Sequence, residues 1–155
     1  MSVQCQQKCT NGNIVFGVDI LFWFNAPDPN TGESMGIVTF KGVRKSLDKF
    51  CIDFFDNVGI MNYRDNVYGM DSMLYHGQDI LDYATSVDKR NVLMGLETSL
   101  HKGILEKLTF GDDSCAFLKS EMFKADREFA QSKAYAGQAL HAFTSLEELC
   151  PVDLL

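Results

Sequence analysis

Glu97 closes the apolar run Val92-Leu93-Met94-Gly95-Leu96, which holds no other polar side chain. A carboxyl in that position has two possible states. Apolar surroundings raise its pKa and keep it protonated, ready to serve as a general acid. A neighbouring guanidinium, with Arg64 as the candidate, would hold it ionised instead. His141 stands among the small and apolar residues Ala139, Leu140, Ala142 and Phe143 near the end of the last strand. It is either satisfied in a core or carries protons at the mouth of a site. Tyr63 ends a third apolar run, and its hydroxyl can steer charge or be satisfied by a single bond. Trp23 ends a fourth run, as a platform for the C–H face of a sugar ring or as core beside many Phe residues. The expected set is Glu97, Tyr63 and His141 as catalytic residues, with Trp23, Asn62, Arg64, Asp65 and Thr98 contacting substrate. Arg64 and Asp65 are adjacent, so on a strand they point to opposite faces, and a structural salt bridge is the other role for each.

These residues need elements to bring them together. Residues 14–24, 58–63, 92–96 and 136–143 read as four buried strands, because their near-continuous apolar character suits a parallel sheet covered on both faces. Between them lie three amphipathic helical stretches. The first presents Val43, Leu47, Phe50, Cys51, Phe54 and Phe55. The second presents Met73, Leu74, Ile80, Leu81, Ala84 and Val87, with Asp71 as its cap. The third presents Cys115, Leu118, Met122, Ala125 and Phe129 after Asp112-Asp113-Ser114. Ser145 and Glu148 suggest the capping box of a short final helix that Pro151 stops. Residues 25–36 and 101–111 read as long loops. Crossovers of this kind are right-handed and give parallel neighbours. The expected fold is therefore α/β, with parallel βα units in the number of half a TIM barrel: four strands and three to four helices. Residues 1–13 form an arm and 14–155 the partial barrel domain. Polar residues cluster where each run ends, which is where parallel α/β folds place their ligands.

The remaining composition narrows the function. The chain has 155 residues, a net charge of −7 and no Lys/Arg cluster, which argues against nucleic acid and anionic membrane as partners. The first apolar run is interrupted by Asp19 and is too short to span a bilayer; no leader is visible, so the default compartment is the cytoplasm. Five cysteines stand at 5, 9, 51, 115 and 150. Cys51 and Cys115 lie on apolar helix faces and read as buried free thiols. Cys5 and Cys9 lack a second Cys/His pair at zinc-finger spacing. His76 and His101 join no metal-binding pattern, and neither a phosphate loop nor a nucleophile elbow is present. No metal and no cofactor is expected.

The segments 58–65, 92–98 and 137–143 resemble the last three strands of TIM-barrel, glycosidase-like proteins. Met61-Asn62-Tyr63 is similar to the Met-x-Tyr pattern of the sixth strand of chitinase-like glycosidases. Gly17-Val18-Asp19-Ile20 looks like the opening of the Asp-x-Asp-x-Glu strand of those enzymes, but Leu21 and Trp23 stand where the second Asp and the Glu should be. Glycoside hydrolysis generally needs that acid. The resemblance implies a carbohydrate or small-molecule pocket at the carboxyl ends of the strands, and the departure puts catalysis by this segment in doubt. The alternative is a non-catalytic binding or assembly protein on the same scaffold. Half a barrel leaves two edge strands and an apolar inner face open, so self-association or a second chain is expected to complete it.

Overall fold

The computed structural model describes residues 15–100, 103 and 105–151. The arm at 1–13, Ile14 and His101 lie outside the described residues. The central sheet has four parallel strands: β1 (Gly17–Leu21), β4 (Asn57–Met61), β5 (Val92–Glu97) and β6 (Tyr135–His141). They are ordered β1-β4-β5-β6 with no reversal, so the fold is α/β with the strand order of half a βα barrel. Four helices accompany them: α1 (Leu47–Phe54), α2 (Met73–Ser86), α3 (Cys115–Phe129) and α4 (Phe143–Leu149).

Strand alternation explains where the core sits. Val58, Ile60, Val92, Met94 and Leu96 turn to the helix layer and are almost fully buried, together with Ile80, Leu81, Ala84, Leu118, Ala125 and Phe129. The opposite face carries Asp19, Gly59, Met61, Leu93, Gly95, Glu97, Ala139 and His141, and Asp19, Ala139 and His141 are exposed there. This is the face that would point into a closed barrel. A register shift between Val92 and Leu93, opposite Tyr135 and Gly137, leaves Ala136 unmatched. Gly137 has φ +124° at this bulge.

The first expected strand is shorter than its apolar run. It ends at Leu21, and Phe22–Asn25 form a 3-10 turn. The helical face expected from Val43 begins only at Leu47. Val43–Ser46 is β3, paired antiparallel with β2 (Ile37–Phe40) in a hairpin. Lys41 and Gly42 form its two-residue loop, both with positive φ (49° and 78°), the geometry that matches strand twist. Ser72, not Asp71, caps α2, its hydroxyl accepting from the Tyr75 amide. The final helix starts at Phe143 behind Ala142 and so does not use Ser145 as its cap.

Cys115 is not a free thiol. It is bonded to Cys150, which ties the start of α3 to the end of α4. Cys51 is free and buried. Among the described residues, no helix is long and apolar enough to cross a membrane.

Candidate functional site at the carboxyl ends of the strands

Parallel pairing brings Glu97 and His141 level at the carboxyl ends of β5 and β6. Glu97 is only 5% exposed, while the His141 side chain is 63% exposed. Glu97 Oε1 accepts from the Ser99 amide at 2.7 Å and the Ser99 hydroxyl at 2.5 Å. Its Oε2 lies 2.8 Å from His141 Nδ1. Burial pushes the Glu97 carboxyl up, but the bonds from Ser99 and His141 outweigh it and hold the group below its ordinary range. Of the two states open to it, the carboxyl therefore takes the ionised one, held by Ser99 and His141 and not by Arg64, and a carboxylate can only accept from His141 Nδ1.

Tyr63 completes the cluster. Its ring stacks on His141 with centroids 6.2 Å apart and an interplanar angle of 20°. Burial raises the Tyr63 pKa, and the negative charges of Glu97 and Asp19 raise it further. Asp19 is a member that sequence reasoning missed. Its carboxylate lies over Gly59 on the neighbouring strand: a Cβ at Gly59 would fall 2.0 Å from Asp19 Oδ1. The available signal was a lone carboxylate within an apolar strand. Ser99 was missed as well, and its position two residues after Glu97 was the only cue.

The other expected contacts separate from this cluster. Arg64 does not pair with Glu97. It is 5% exposed, lies 4.5 Å over the Phe22 ring and binds Asp71 through Nε and Nη2 at 3.0 and 2.5 Å. Asp71 also accepts from Lys107 Nζ at 2.6 Å and contacts His76 Nε2 at 2.7 Å. Burial pushes the Asp71 carboxyl up, yet the bonds from Lys107, His76 and Arg64 hold it well below the usual carboxylate range. Asn62 is fully buried, and its Nδ2 donates to the Met73 carbonyl at 2.8 Å, so it fastens α2 to the sheet and cannot reach a ligand. Thr98 is also buried, its hydroxyl donating to the carbonyls of His141 and Ala142 at 2.9 and 3.1 Å. Asp65 is half-buried; burial raises its pKa, and Asp112 and Glu121 raise it further. Trp23 is 39% exposed on the turn after β1, its ring edge-on to Phe24.

The assembled site is thus Glu97, His141, Tyr63, Ser99 and Asp19, with Trp23 beyond the end of β1. Among the described residues, no group of three His, Cys, Asp or Glu is placed to hold a metal ion. No family model, curated protein or solved structure matches the chain.

Proposed function

We propose that this chain is a glycosidase-like TIM-barrel segment whose pocket, at the carboxyl ends of the strands, binds a carbohydrate. The observation that carries the reading is the grouping of Tyr63, Glu97 and His141 at the ends of parallel strands, where barrel proteins place their sites. An aromatic ring, an anion and an exposed imidazole suit a ligand with hydroxyls and a C–H face. The half-exposed indole of Trp23 adds a stacking surface. Trp23 is the only tryptophan, so the emission reads one position, on the turn that follows β1 at the carboxyl end of that strand. Titration with neutral chito-, cello- and malto-oligosaccharides should shift or quench that emission, and Tyr63→Ala should weaken the effect. A flat response to all three series into the millimolar range, with no new reducing ends, would remove the reading.

The second reading is a binding or assembly protein that lacks the acid. Leu21 and Trp23 occupy the positions of the missing carboxylates, and among the described residues β1 and β6 are the edges of the sheet. A second copy or another chain pairing with those edges would complete the barrel. The Cys115–Cys150 disulfide favours an oxidising compartment over the cytoplasm as its place of action.

A further inference from the structure

Glu97 is poorly suited to donate a proton but well suited to orient a group that accepts one. It is ionised, nearly closed off from solvent and gripped at Oε1 by both donors of Ser99. Its free oxygen meets His141 Nδ1 at 2.8 Å. An anionic carboxylate can only accept, so the Nδ1 proton is fixed in place and the lone pair of the neutral ring resides on Nε2. Nε2 has no protein partner among the described residues, and the side chain is 63% exposed at the mouth. The charged and titratable groups around the pair are the Tyr63 hydroxyl, beyond β4, and Asp19, on β1. The Tyr63 ring lies nearly parallel to the imidazole, with the centroids 6.2 Å apart.

We propose that His141 is the proton acceptor of this site and that Glu97, anchored by Ser99, is the positioning residue that presents its Nε2. The inference rests on the pocket described above and assigns the role of its two central residues. In the step, the O–H bond of a bound hydroxyl or water breaks and its electron pair stays on oxygen. The proton forms a new bond with the Nε2 lone pair. The resulting imidazolium keeps its Nδ1 proton on the Glu97 carboxylate, which balances the new charge.

The ring tautomer tests this without any sugar. Long-range nitrogen–proton spectra of the wild-type protein, recorded at a pH where the imidazole is neutral, should show His141 protonated at Nδ1. Free imidazole side chains favour Nε2. Glu97→Ala should shift the proton to Nε2, and so should Glu97→Gln, because the two Ser99 donors claim its single carbonyl oxygen and turn its amide NH2 toward Nδ1. Glu97→Gln, which keeps the shape of the side chain, supplies the comparison if Glu97→Ala does not fold. An Nε2-protonated ring in the wild-type protein, or a tautomer unchanged in the Glu97 variants, would overturn the assignment. A protein that binds oligosaccharide yet shows the Nε2 form loses only this inference. One that shows the Nδ1 form yet binds no sugar loses only the carbohydrate reading.

Discussion

Glu97 shows how two donors can reverse the behaviour of a buried acid. An apolar strand end alone would keep it protonated, and the sequence displays only that strand end. Ser99 and His141 reverse the outcome, and their effect depends on a two-residue turn and a cross-strand register that composition cannot reveal. Because the folded pKa lies below the ordinary value of 4.5, its contribution to stability is complete above that value. It is lost as pH falls through the folded pKa. Urea melts of wild type and Glu97→Gln between pH 7 and pH 3 should therefore converge at the acid end. Arg64 belongs to a separate network. Arg64→Met and Asp71→Asn should each destabilise, by less than the ~3–5 kcal/mol of a fully buried pair because the Asp71 side chain is 40% exposed. The double variant should recover part of the loss. Glu97→Gln combined with Arg64→Met should be additive, since the two residues share no bond; measurable coupling between them would show that this division of networks is wrong.

At the scale of elements, the four strands and the order of the sheet were legible because each apolar run is long, uniform and separated from the next by a helical period. The hairpin β2–β3 was not. Val43 continues the apolar spacing of α1, and a four-residue strand cannot be told from an extra helical turn by periodicity alone. Lys41-Gly42 was the missed signal. Gly42→Ala should cost about 1 kcal/mol, because φ +78° is strained for any residue with a Cβ. Gly59→Ala has a different expected effect. The new methyl would meet the far end of the Asp19 side chain, so the carboxylate should move while the melting temperature changes little. A large loss of stability, not relieved by Asp19→Ala, would show that the backbone there cannot adapt. The disulfide was illegible for a related reason. Cys115 and Cys150 stand 35 residues apart, and only folding of α3, β6 and α4 sets their Cα atoms 5.1 Å apart.

For the whole molecule, an unclosed sheet means that stability and assembly are linked. Among the described residues, no strand pairs with the outer edges of β1 and β6. Sedimentation at rising concentration should show self-association, and a monodisperse monomer throughout would exclude a second copy as the completing half. Loop closure by the disulfide should contribute about 3–4 kcal/mol, so Cys115→Ala/Cys150→Ala should lower the denaturation midpoint accordingly. The same bond also governs how the chain responds to a pull. A force applied at the two ends bypasses everything between Cys115 and Cys150, so α3 and β6 bear no tension while the bond lasts. In an optical trap, the oxidised protein should release a contour shorter by about 120 Å than the reduced one, the reach of 35 extended residues. A translocating motor drawing on the carboxyl end would meet this covalent ring as a loop to be threaded whole, and its stall there should vanish on reduction.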